Sequence, residues 1–475
     1  MKKNLFYAAF AIAMMASCTN EDNLAVDPVE PTPEEKVALT LGIDAPSVNA
    51  EIGARGTGSV GDVTGEKNVW NSQKLFITMI DRETGLVATD VNGDTIMSYD
   101  TYTYVAPRSS EQTTTDTYGK GKIRVYETYE PENPTLTGES TVDKGILKYL
   151  YYPVQGTFDF YGWHLDDATG SSVSVTPNKI EISGITIDGT QDIMGAKTKD
   201  FTEENYGSTV NPNFTGNFPD MVGWQFSART ARNEIDPILK FEHKLARVKF
   251  FVKAGSWSAA LHDESGNEKT PKDSNDETTT GAMYITSIKA QDMHSKFTMT
   301  LDGTGIATSD ASEQKEFILG DISAETGEID TLVHKAPNYR KDYASVPQDE
   351  TDYTQVGEAI MFLPVEGLTA DSLTFNLDMK QYVQLKEDET DGTLEEGDGD
   401  VWGFETREAV PVTVKAAHVK KDGNPLTEPK FKAGESYNVY ITIYGFEKIE
   451  VSAELTPWVE GGDVDVDIED GVSKQ

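Results

Sequence analysis

The feature that most constrains this chain is a period of two in its apolar residues. They recur at Leu75/Ile77/Met79, Phe158/Phe160, Ile180/Ile182, Ile185/Ile187, Val248/Phe250/Val252 and Leu373/Phe375/Leu377. Successive side chains of an extended backbone point to opposite faces, so each run makes a strand with one buried and one wetted side. Between the runs lie polar, turn-forming stretches such as Asp90-Val-Asn-Gly-Asp94, Thr300-Leu-Asp-Gly-Thr304 and Thr390-Asp-Gly-Thr393, and no long stretch holds a helical period. The expectation is an all-β chain of antiparallel β-sandwiches. Its 20 Tyr, 19 Phe and 6 Trp suit sheet faces, where aromatic residues are enriched.

At 475 residues the chain exceeds one ordinary sandwich and fits two domains, each burying its own core. The polar, proline-ended stretch Arg232-Asn-Glu-Ile-Asp-Pro237 precedes a strand expected to run from Ile238 to Val252. This places an N-terminal domain at residues 56–235 and a C-terminal domain at 236–475. Segments 261–280 and 388–400 are rich in charge and glycine and are expected to be exposed loops.

The chain opens with Lys2 and Lys3, an apolar run from Leu5 to Ala16, and then Met15-Ala16-Ser17-Cys18. Positive residues, a short apolar run and small residues before a cysteine make a lipoprotein signal peptide over residues 1–17, with Cys18 as the acylated N-terminus. Cys18 is also the single cysteine, which excludes an intramolecular disulfide framework and a cysteine-based zinc site. Residues 18–55 then begin as a tether rich in proline and acid, in which Pro28, Pro31 and Pro33 favour extended polyproline II. Within it Val37, Leu39, Leu41 and Ile43 alternate with Ala38, Thr40 and Gly42, as a first strand of the N-terminal sandwich would. Arg55-Gly56 follows in a run of small residues that a protease can thread.

Forty-one Lys+Arg against 80 Asp+Glu give a formal charge of −39, which repels nucleic acid and anionic lipid headgroups. The six histidines, His164, His243, His262, His294, His334 and His418, show no metal-ligand spacing. Neither a nucleophile elbow, a phosphate-binding loop nor a dinucleotide fingerprint is present. Asp90 to Asp94 and Asp398-Gly-Asp400 lack the spacing and closing glutamate of a calcium hand. The expectation is therefore no catalytic residue, no metal and no cofactor.

Several motifs in order resemble the fimbrillins, or type V pilins, through most of the chain. They are the lipoprotein start; Trp70 ahead of Lys74-Leu-Phe-Ile-Thr-Met-Ile80; Tyr151-Tyr-Pro-Val-Gln-Gly-Thr-Phe-Asp-Phe-Tyr-Gly-Trp163; and Gln191-Asp-Ile-Met-Gly-Ala-Lys197. Phe241-Glu-His-Lys-Leu-Ala-Arg-Val-Lys-Phe250 and the ending from Tyr437 to Trp458 complete the series. The resemblance implies two transthyretin-like domains and a lipidated precursor that passes through the lipoprotein export machinery to the outer membrane. It also implies trimming by an arginine-specific protease, which matches Arg55, and polymerisation by strand exchange with other copies and related pilus subunits. A cell-surface role in adhesion or biofilm formation, with a host or bacterial surface ligand, is implied as well.

Loss of residues up to Arg55 would vacate the sites of Val37, Leu39, Leu41 and Ile43. Two C-terminal stretches alternate as a donor strand should: Ile449, Val451 and Leu455, in a hairpin with the preceding strand, and Val464, Val466 and Ile468, with acids on the other face. The competing expectation is a surface lipoprotein that binds glycan without polymerising, with Trp163, Trp257 or Trp402 as stacking platforms.

Overall fold

The computed structural model describes residues 36–44, 70, 72–90, 92–107, 120–130, 144–211, 213–254, 283–319, 334–335, 353–387, 394–396, 401–421, 424–445 and 448–456. The alternating runs form strands, and the chain is all-β with mixed sheets. In spatial order the first sheet contains Lys120–Lys122, Gly42–Asp44, Ile238–His243, Met194–Thr198, Phe158–His164, Lys74–Asp81, Thr103–Val105, Arg124–Glu130 and Lys144–Leu147. The second contains Thr354–Phe362, Ala246–Ala254, Ser436–Gly445, Lys448–Thr456, Lys420–Lys421 and Asn424–Pro425. The third runs Leu394–Glu396, Ser372–Glu387, Met283–Asp302, Lys179–Thr186 and Ser172–Thr176, with Gly305–Ile318 and His334–Lys335 joined to Met283–Asp302 and Val401–Lys415 joined to Ser372–Glu387.

Most pairs are antiparallel as expected, but three among the described strands are parallel. Gly42–Asp44 runs parallel to Ile238–His243, Ala246–Ala254 to Ser436–Gly445, and Lys420–Lys421 to Lys448–Thr456. Parallel neighbours require a long return of the chain, and in the first two cases many intervening strands supply it.

The strand expected to run unbroken from Ile238 to Val252 is two strands. Ile238–His243 pairs within the first sheet and Ala246–Ala254 within the second, so the chain changes sheets at Lys244 and Leu245. The crossing is pinned by the backbone: Lys244 N–H donates to Ile193 C=O at 2.8 Å, and Gly434 N–H donates to Leu245 C=O at 2.8 Å. The expected junction after residue 235 thus precedes a strand that belongs to the first sheet.

Two cores follow from these sheets. One gathers Leu41, Ile43, Trp70, Phe160 and Phe241 with Tyr206, Phe218 and Phe226, which come from a stretch of short helices at Glu203–Tyr206, Phe218–Trp224 and Ala228–Arg232. The other lies between the second and third sheets, where Phe250 meets Phe375 edge to face with ring centroids 4.8 Å apart. Aromatic rings in that geometry add roughly 0.5–1.5 kcal/mol beyond burial.

Candidate assembly site

Segment 36–44 is inserted into the first sheet rather than laid on its surface. Gly42, Ile43 and Asp44 face Ile238, Leu239 and Lys240 on one side and Lys122, Gly121 and Lys120 on the other. Backbone bonds extend the pairing at both edges: Gly42 N–H to Pro237 C=O at 2.9 Å, Ile123 N–H to Leu41 C=O at 2.9 Å, Leu39 N–H to Leu150 C=O at 2.8 Å and Tyr152 N–H to Val37 C=O at 2.9 Å. The alternation behaves as the sequence implies. Leu39, Leu41 and Ile43 are buried in the first core, whereas Val37, the fourth expected member, is only half-buried at its margin. Three fully buried aliphatic side chains at roughly 1.5–3 kcal/mol each hold this segment in place.

Polar contacts mark the wetted face. Thr40 Oγ1 donates to Asp236 Oδ1 at 2.5 Å, and the same carboxylate receives Lys122 Nζ at 3.2 Å through Oδ2. At the far end Lys199 pairs with Asp44. Beneath the start of the segment, burial first, with Asp236 and Tyr206 adding to it, raises the Tyr152 hydroxyl well above the ordinary tyrosine range.

The C-terminal hairpin is present and built into the chain's own second sheet. Ser436–Gly445 and Lys448–Thr456 pair antiparallel from Ser436↔Thr456 to Gly445↔Lys448, with Ile449 opposite Ile443, Val451 opposite Ile441 and Leu455 opposite Tyr437. Leu455 is buried and Ile449 half-buried against the second core. Cys18, Arg55, Gly56, Val464, Val466 and Ile468 lie outside the described residues.

Trp163 is not a stacking platform. It is 1% exposed, stacks on Phe76 at 5.8 Å and fills core, because its strand buries both faces at that point. Trp402 pairs through its backbone with Gln384, and Trp257 lies outside the described residues. Three histidines are structural: His164 Nδ1 is 2.8 Å from Lys74 O, His294 is buried, and His243 Nδ1 is 2.7 Å from Asp192 Oδ1. The last contact joins two of the motifs, around Gln191 and Phe241, at the crossing between sheets; reading each motif separately could not reveal it. The Asp90 loop is a self-capped turn, in which Asp90 Oδ1 accepts from the N–H groups of Asn92 at 2.8 Å and Asp94 at 2.9 Å.

No protein-family model matches the chain, and no curated protein matches it. Among solved structures it is similar at 14% identity and a TM-score of 0.38 to a “putative cell adhesion protein” from Bacteroides uniformis, over 90% of this chain and 100% of that one. It is similar at 8% identity and a TM-score of 0.31 to the fimbrial anchor protein Mfa2 from Porphyromonas gingivalis, over 91% and 100% of the two chains. A third structure, from Bacteroides thetaiotaomicron and described among “putative polysaccharide binding proteins”, gives 8% identity and a TM-score of 0.33 over 91% and 99%. Likeness at this level carries no argument about what this chain does.

Proposed function

We propose that the chain is a non-catalytic structural subunit of a cell-surface fimbrium, made as a lipoprotein acylated on Cys18, cut after Arg55 and joined to its neighbours by strand exchange. The observation that carries this reading is the position of segment 36–44. It is hydrogen-bonded on both sides and inserts Leu39, Leu41 and Ile43 into the first core. Arg55 follows it by only a short stretch of sequence. Loss of such a strand leaves unpaired backbone and an apolar slot that favours a replacement strand.

Of the two expected donors, the stretch bearing Val464, Val466 and Ile468 is the better. Donation by Lys448–Thr456 would strip its pairing from Ser436–Gly445 and remove Leu455 from the second core. The competing reading of a non-polymerising glycan binder loses its Trp163 platform to the core.

The test is assembly of the purified chain after treatment with an arginine-specific protease, followed by electron microscopy. Filaments should form from the wild type and be absent from Arg55→Ala and from a chain ending at residue 456, which keeps the hairpin intact. Normal filaments from either variant would sink the reading.

A further inference from the structure

A second feature lies beside the start of segment 36–44. In Tyr149-Leu-Tyr-Tyr152 the side chains alternate: Leu150 and Tyr152 are buried, whereas Tyr149 and Tyr151 are 70% and 41% exposed. Together with Tyr102 and the Asn92 to Asp94 turn they line an open cleft of ≈ 310 Å³. This lies at the small end of the usual range for ligand clefts, about 300–1,000 Å³. Exposed rings gathered at one cleft offer an apolar platform with hydroxyl tips to a ligand.

The polar groups narrow the ligand class. Asp90 accepts the backbone N–H groups of Asn92 and Asp94, and both of these residues line the cleft. Lys36 sits 5.7 Å from the Tyr151 ring centroid, and Lys148, 5.7 Å from that of Tyr102, is paired with Glu127 at 2.7 Å. Two carboxylates, Asp90 and Asp94, therefore face one cleft-lining ammonium in a chain of charge −39, and a sulfated, phosphorylated or uronate ligand is repelled. A wholly apolar ligand would take the Asp94 carboxylate out of water with nothing to replace its hydration. Among neutral ligands, one with an apolar face for the rings and a rim of hydroxyls for Asn92 and Asp94 fits this lining, and a hexopyranose has both.

We propose that this cleft binds a neutral hexose unit of a glycan, with the Tyr149 and Tyr151 rings against the sugar's C–H face and Asn92 and Asp94 hydrogen-bonding its hydroxyls. Lys36 lies on the segment that cleavage after Arg55 would remove, so the cleft as described belongs to the uncleaved chain, whose sugar binding does not itself require strand exchange.

Calorimetry with maltotriose, mannotriose and galactotriose tests it on the uncleaved chain. At least one should bind saturably, and heparin should not. Tyr149→Ala with Tyr151→Ala should weaken binding about tenfold or more, the loss expected when stacked rings are removed, while Tyr149→Phe, which keeps the ring, should bind as the wild type does. Circular dichroism on each variant checks that the fold is kept, as the exposure of both positions implies. Absence of binding by all three trisaccharides at millimolar concentration overturns the proposal, and so does unchanged affinity in the folded double variant.

Discussion

Nδ1 of His243 lies 2.7 Å from Oδ1 of Asp192, with both side chains sealed from solvent. Asp192 stands just before the strand Met194–Thr198, and His243 ends its neighbour Ile238–His243, one residue before the chain leaves the first sheet. The contact closes the end of the sheet at the point where the two halves of the chain diverge. Asp192→Ala should lower stability by about 1–3 kcal/mol, the range for leaving a buried hydrogen-bonding group without its partner. Urea unfolding should show a lower midpoint with unchanged slope; an unmoved midpoint would mean that the contact contributes nothing.

Leu41→Ala and Ile43→Ala should each cost about 2–5 kcal/mol, because both side chains are almost fully buried. Val37→Ala, at the half-buried margin, should cost clearly less. Equal losses at positions 37 and 41 in parallel melts would contradict the burial pattern.

A synthetic peptide of residues 36–44 should bind the chain cut at Arg55 and stripped of its first strand, and the same peptide with Leu41→Asp should not. Fluorescence anisotropy of labelled peptide reads this directly. Equal binding by both peptides would show that the slot does not select for the buried alternation.

Alkali should unfold the protein through its tyrosines. Burial, with Asp159 and Asp302 adding to it and Arg82 opposing, pushes Tyr161 up to about 12 from an ordinary value of 10.0. Tyr104, Tyr152, Tyr206 and Tyr437 are raised as well, each chiefly by burial. The folded chain thus holds these protons more tightly than the unfolded chain, so their contribution is complete below pH 10.0 and is lost as pH rises toward about 12. Absorbance near 295 nm should show exposed tyrosines titrating first and a cooperative step later, coincident with loss of the β signal in circular dichroism. A single smooth titration without that step would count against it.

The strands were legible in the sequence because burial on one face writes itself as alternation, and segment 36–44 shows this at Leu39, Leu41 and Ile43. The break between Ile238–His243 and Ala246–Ala254 left a trace that is easy to pass over. Buried apolar positions run odd through Leu239 and Phe241, and even through Ala246, Val248, Phe250 and Val252. The change of parity, with Leu245 and Ala246 both buried at the crossing, marks where the buried face of the chain switches. Parallel pairing left no such trace, since it depends on where the chain returns and not on which face a residue shows. The Asp192–His243 contact and the tyrosine cleft were invisible for a related reason: each joins segments distant in sequence, and only the fold makes them neighbours. At the cleft the signal lay in Tyr149-Leu-Tyr-Tyr152, where period two turns a tyrosine cluster half outward.

The slot of segment 36–44 also carries a unit of length. Any strand seated between Ile238–His243 and Lys120–Lys122 must send alternate side chains into the pockets of Leu39, Leu41 and Ile43. Sliding it by one residue would turn every inward group to water, so permitted positions are two residues apart, about 6.4–6.8 Å. An occupant under tension would therefore yield in discrete clicks rather than by gradual slippage, like a pawl on a toothed rack.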